Sequence, residues 1–148
     1  MNSEAMITTL KSLKLFGMAQ TVADLAAQSS PAFGQAQAIL DSLLQAEVAE
    51  REVRSINYQM QAARFPAYRD LTGFDFRQSS VDEALIRVLH RGEFIEDAQN
   101  VVLVGGPGTG KTHLATALGI QALQHLRYRV RFLSTIELVN ALEQEKLA

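Results

Sequence analysis

Apolar residues return at helical intervals through the first sixty positions of this chain. Met6 with Leu10, and Ile7 with Leu10 and Leu13, mark one side of an opening helix. Gly17 is read as the residue that ends or bends it. A second segment near residues 18–28 stops before Ser29-Ser30-Pro31, a clear break. From about residue 34 to 63 the spacing predicts one long helix, with Ile39, Leu40, Leu43, Leu44 and Val48 as its buried stripe. Glu47 with Arg51, and Glu50 with Arg54, stand four apart with the acid first, which supports that helix. Pro66 closes the region, and a small helical bundle over residues 1–69 is expected.

The pattern then changes. Residues 70–99 form a linker with a lead-in helix at about 81–91, capped by Ser80 with Glu83 completing a capping box. Val101-Val102-Leu103-Val104 is a short, uninterrupted, β-branched run of the kind found in strands buried on both faces. Over residues 112–126, Leu114, Ala115, Ala117, Leu118, Ile120, Ala122 and Leu123 lie nearly all round a helix, so that helix is expected to be buried. Tyr128 to Leu133 reads as a second strand. Ser134-Thr135-Ile136-Glu137 is a capping box that opens a final helix running to the C-terminus. Strand, loop, helix, strand, helix over residues 100–148 predicts an α/β fold: a helical N-terminal bundle, then the start of a parallel sheet.

Between the first predicted strand and the buried helix stands Gly105-Gly106-Pro107-Gly108-Thr109-Gly110-Lys111-Thr112, a complete phosphate-binding loop. Glycines let the backbone turn through conformations closed to other residues and keep side chains out of the way. Backbone N–H groups can then point inward at a triphosphate. Lys111 supplies a point charge for the β- and γ-phosphates, and the Thr112 hydroxyl completes a Mg²⁺ shell. The N-terminus of the following helix adds free N–H groups and a positive dipole end.

The residues around the loop resemble the ATPase domain of the IstB family. The resemblance is carried by Gly92-Glu93-Phe94-Ile95-Glu96-Asp97-Ala98-Gln99-Asn100, by Val101 to Val104, by the loop, and by His113-Leu114-Ala115-Thr116-Ala117-Leu118-Gly119. Upstream, Ala63-Arg64-Phe65-Pro66-Ala67-Tyr68 and Leu71-Thr72-Gly73-Phe74-Asp75-Phe76 resemble the family's link, and Leu10 to Ala19 its opening helices. The family comprises ATP-binding helper proteins encoded beside the transposase in certain bacterial insertion sequences, and it is similar to bacterial helicase loaders. The resemblance implies an AAA+-type sheet, ATP and Mg²⁺ as cofactors, transposase and DNA as partners, and a homo-oligomer in full-length form. It also offers Phe94 and Ile95 as an adenine wall, with plain core as the alternative.

One departure from the family matters. Its members continue to a hydrophobic run ending in Asp-Glu, but the acids after this loop are Glu137, Glu143 and Glu145, all in the final helical segment. The later sensor residue and arginine finger are missing too. Phosphoryl transfer depends on such groups. A truncated ATPase is therefore expected, with no catalytic residues of its own and at most weak binding without turnover. The family places two further strands between the two predicted here. Those two must then pair directly, or leave unpaired edges and exposed apolar faces that invite association.

Charge tempers the DNA expectation. The net charge is −2 and the isoelectric point about 5.9, the reverse of a typical basic module. Locally, Arg54, Arg64 and Arg69 are interleaved with Tyr58, Phe65 and Tyr68, which suits phosphate contact with base stacking. A solvated helix end with packed aromatics is the alternative. His113 is expected on a helix face, and His90 and His125 lack ligand spacing, so no metal is expected through histidine. The chain has no cysteine, and neither a leader peptide nor a membrane span is read from its apolar runs, so a cytoplasmic protein is expected. A GTPase is disfavoured by the lack of an Asn-Lys-x-Asp segment. Two readings stay open: an ATP-binding transposition helper, with a helicase-loader-like ATPase as close rival, or a non-catalytic interaction module carrying a vestigial loop.

Overall fold

A computed structural model describes residues 2–146, which divide into two compact units, Met1–Ser55 and Ile56–Ala148. Seven helices are formed among the described residues: α1 (Ser3–Ser12), α2 (Phe16–Ala27), α3 (Pro31–Ala63), α4 (Glu83–His90), α5 (Glu93–Glu96), α6 (Lys111–Gln124) and α7 (Thr135–Lys146). A 3-10 turn at Phe76–Gln78 precedes α4.

In the first unit α1 and α2 form a hairpin against the early part of α3. Asn2 caps α1 by accepting from the Ala5 N–H at 2.8 Å. Met6, Leu10, Leu13, Ala19, Val22, Phe33 and Leu44 make its buried core. The break between α1 and α2 is not at Gly17, which lies inside the first turn of α2. Lys14 makes the turn instead, with φ of 61°, while the Leu15 N–H donates to the Leu10 carbonyl at 2.9 Å. That bond and the Lys14 N–H to Lys11 carbonyl bond close a Schellman-type end. Ser29 ends α2 the same way, with φ of 50°. Pro31 then stands at the first position of α3, where its missing N–H costs nothing.

Only part of the predicted α3 stripe is buried. Leu44 is in the core and Leu40 packs against it, but Ile39, Leu43 and Val48 are exposed. Both expected ion pairs form, Arg51–Glu47 at 2.6 Å and Arg54–Glu50 at 3.6 Å. Arg51 also donates to the Leu13 carbonyl at 3.0 Å, tying α3 to the end of α1.

The second unit contains α4 to α7 and corrects the α/β expectation. Among the described residues there is no strand: 101–104 and 127–134 carry no ladder, and the unit is helical with irregular connections. A β-branched run favours extended backbone, but a strand exists only when a second segment completes its hydrogen bonds. The two runs do not supply each other's, and Val102 and Val104 stand exposed. The core forms instead where Leu71, Ile86, Leu114 and Ala117 meet, with Phe74, Phe76, Val81, Leu89 and Leu103 around them. As expected, α6 is largely buried, enclosing Leu114, Ala117, Ile120, Ala122 and Leu123, but Leu118 is half-buried and Ala115, expected inside, is exposed.

Two helix starts are informative. Asp82, not Ser80, caps α4, its carboxylate accepting from the N–H groups of Ala84 at 2.8 Å and Leu85 at 3.3 Å. The Ser134 box at α7 forms as expected. Glu137 accepts from the Ser134 N–H at 2.8 Å, and the Ser134 hydroxyl accepts from the Glu137 N–H at 3.2 Å. The Ser134 N–H, then the Ser134 hydroxyl, hold the Glu137 carboxyl below the usual glutamate range, with smaller help from Arg64 and Arg131. Residues 147 and 148, the predicted end of the last helix, lie outside the described residues.

Candidate functional site

The loop at 105–112 leads directly into α6, so Lys111 and Thr112 occupy the first turn of a buried helix. Gly108 has φ of +74° and Gly110 of +91°, the left-handed region that favours glycine. The Lys111 ammonium folds over the loop, donating to the Gly105 carbonyl at 2.8 Å and to the Gly106 carbonyl. Thr109 Oγ1 donates to the Gly106 carbonyl at 2.9 Å and stands 3.4 Å from Lys111 Nζ. Thr112 is exposed beside them. A phosphate fits this donor set: the cation is already in the loop, and its carbonyl partners are exchangeable for phosphate oxygens.

The loop forms one wall of a cavity of about 860 Å³. Val81, Leu85, Ile86 and Leu89 supply an apolar wall, Gln78, Ser79 and Ser80 a polar edge, and residues 101–104 the rest. The size and the mixture suit a nucleotide. Phe94 and Ile95 are not among the lining residues, so the apolar wall is built from α4 and Val81. Among the described residues, none of those lining the cavity is acidic. Glu137, Glu143 and Glu145 are on α7, and among the described residues no group of three or more metal-ligating side chains occurs.

Behind the loop lies a brace not foreseen from the sequence. The Phe74 ring covers Gly110 so closely that a Cβ there would sit 2.6 Å from Phe74 Cε2. Phe74 stands edge-on to Phe76 at 4.9 Å and to His113 at 5.2 Å. His113 is on a helix face, as expected, and its Nε2–H donates to the Asp70 carbonyl at 2.7 Å. Asp70 in turn accepts from Thr72 Oγ1 at 2.7 Å and from the Gly73 N–H at 3.1 Å. The Thr72 hydroxyl, then the Gly73 N–H, hold its carboxyl below the usual range. Leu71–Phe76 is thus fastened to the first turn of α6. The sequence signal was the pair of aromatics in Leu71-Thr72-Gly73-Phe74-Asp75-Phe76, but nothing local says that they meet Gly110.

The candidate DNA contacts are placed apart in kind. Arg54 is on α3, paired with Glu50. Arg64 follows α3 at φ of 56°, and both it and Arg69 are exposed. Tyr58 and Tyr68 are exposed, whereas Phe65 is packed over Gly119 and 6.4 Å from Phe132.

The family model for the IstB-like ATP-binding protein matches residues 8–148. This chain belongs to that family. Its relatives include insertion-sequence proteins named for ATP binding. With that of IS5376 from Geobacillus stearothermophilus it is 39% identical over 103 residues, 69% of this chain and 41% of the relative. With that of IS21 from Pseudomonas aeruginosa it is 34% identical over 138 residues, 93% and 52%. With that of IS232 from Bacillus thuringiensis it is 32% identical over 151 residues, 99% and 59%. The chain thus spans about half the length of these relatives. Among the described residues no helix is long and apolar enough to cross a membrane.

Proposed function

We propose that this chain is the nucleotide-holding portion of an ATP-binding helper for DNA transposition. The supporting observation is the loop itself: two left-handed glycines, the Lys111 ammonium folded over them, and the buried helix α6 beginning at Lys111. In this reading, the backbone N–H groups of residues 105–112 other than Pro107, with the Lys111 ammonium, hold the phosphates, and Thr112 contributes an oxygen to Mg²⁺. The base lies along Val81, Leu85 and Leu89. The role assigned to these residues is to hold the nucleotide. Transposase and DNA are the partners, and the cytoplasm is the compartment. Arg64 and Arg69 offer exposed cations for DNA, while Arg54 is drawn toward Glu50. Residues 1–69 serve as the helical domain, 70–99 as the link and 100–148 as the ATP-binding part.

The test is equilibrium binding of a fluorescent ATP analogue with Mg²⁺, beside Lys111→Ala and with unlabelled ATP and GTP as competitors. Saturable binding displaced by ATP, and weakened at least tenfold in the variant, is expected. Absence of binding by a soluble, helical wild-type chain would reject this reading and leave an interaction module with a vestigial loop.

A further inference from the structure

The segment after α6 has a chemistry that the nucleotide site does not use. Exposure along it alternates with a period of two: Arg127, Arg129 and Arg131 are exposed, whereas Tyr128, Val130 and Phe132 are partly buried. Arg127 itself turns the chain, with φ of 62°; from Tyr128 onward the period is that of an extended chain, whose alternate side chains reach opposite faces. Both ends of the segment are fixed. The Tyr128 N–H donates to the Ala122 carbonyl at 2.9 Å, and the Phe132 N–H donates to the Ala63 carbonyl at 2.7 Å. The second bond, with the Phe65–Phe132 ring contact, brings the segment beside the end of α3, where Arg64 is exposed. Arg64 and Arg131 both act on the Glu137 carboxylate, so the two cations share one neighbourhood.

We propose that Arg64, Arg127, Arg129 and Arg131 form a strip that binds the phosphodiester backbone of a single nucleic-acid strand. Residues two apart on an extended chain are separated by roughly 6.6 Å at 3.3 Å per residue, comparable to the separation of successive phosphates along one strand. Arginine suits the task because its planar fork takes two phosphate oxygens at once. The apolar partners in the segment turn inward. A membrane-surface site would instead present apolar side chains outward beside its cations. Glu137 lies near Arg64 and Arg131, and its carboxylate is already engaged by Ser134. The net charge of −2 conceals the feature, because four cations are concentrated on two short segments of an otherwise acidic chain. The proposal rests on the reading that the protein works on DNA, and it assigns that contact to a surface centred on residues 127–131.

The experiment is fluorescence anisotropy of a labelled oligo-dT with the 148-residue chain, over a range of salt concentrations. The strip variant is R127Q/R129Q/R131Q, and a charge-matched control is K11Q/R91Q/K146Q. The strip variant should bind at least tenfold more weakly. Its slope of log affinity against log salt should be shallower by about 2, at about 0.7 for each phosphate that is no longer neutralised. The control should stay within threefold of wild type. Lys111-dependent binding of the ATP analogue serves as the folding check. If the triple variant fails it, R129Q and R129K replace it, the first reducing the slope by about 0.7 and the second preserving it. Equal slopes for wild type and strip variant would overturn the proposal, as would tighter binding to phosphatidylserine vesicles than to the oligonucleotide. A wild-type chain that binds the ATP analogue but no oligonucleotide would also overturn it, while leaving the nucleotide reading intact.

Discussion

Gly110 meets two separate demands. Its φ of +91° is a conformation L-residues avoid, and the Phe74 ring leaves no room for a Cβ. The first alone costs about 1–2 kcal/mol for a residue other than glycine. Gly110→Ala should therefore lower stability by at least that amount, read as the urea midpoint. It should also weaken binding of the ATP analogue, because the residue immediately precedes Lys111. Phe74→Leu should relieve the steric part and recover some stability in the double variant, whereas additive losses would show that Phe74 does not restrain the loop. The loop was legible because its chemistry is consecutive: glycines, a lysine and a threonine in one stretch of eight. The brace was not, because Phe74 and Asp70 reach Gly110 and His113 only through the fold. No periodicity in residues 70–76 announces those contacts.

Helix ends show how far local signals extend. Ser80 and Asp82 are both good caps, and the Ser80–Glu83 spacing matches a capping box, so pattern alone could not separate them. The structure gives the role to Asp82, whose carboxylate satisfies two N–H groups of α4. Asp82→Ala should cost about 1 kcal/mol, and Ser80→Ala should leave the urea midpoint unchanged; the reverse order would contradict the assignment. Glycine was an uneven guide to where helices stop: Gly92, at φ of +87°, follows the end of α4, but elsewhere other residues take that role. Lys14, Ser29, Arg64 and Ala98 all take left-handed conformations just past helix ends, so α1 stops well before the glycine expected to end it. The Val101–Val104 run shows a different limit. Local composition specifies extended backbone, but pairing is a property of two segments and cannot be read from one. On α3, helical existence was legible from the spacing. Which side was buried was not, since Ile39 and Leu43 are as apolar as Leu40 and Leu44 yet remain exposed.

For the molecule as a whole, pH is a useful coordinate. Burial holds the His90 imidazole below its ordinary value of 6.5, with His125 and Arg87 acting in the same direction and Asp70 opposing them. The folded chain therefore favours neutral His90, and the unfolded chain binds more protons as the pH falls below about 6.5. The thermal midpoint should decline on that limb, and His90→Gln should flatten it. Below about 4.5 a second decline should begin, since Asp70 and Glu137 are both held below their ordinary values of 3.8 and 4.5 by bonds present only in the fold. A profile rising toward acid would contradict both assignments. The two compact units differ in what they hold: Met1–Ser55 has its own core around Met6, Leu10 and Phe33, and Ile56–Ala148 contains the loop, its brace and the arginine strip. The central claim is that nucleotide is held by residues 105–112. Hydrogen–deuterium exchange with and without Mg²⁺–ATP tests it most directly, in wild type and Lys111→Ala. Protection confined to 105–112, the first turn of α6 and the α4 wall, and abolished in the variant, is the result expected; unchanged exchange in the loop, or equal protection in the variant, would contradict it.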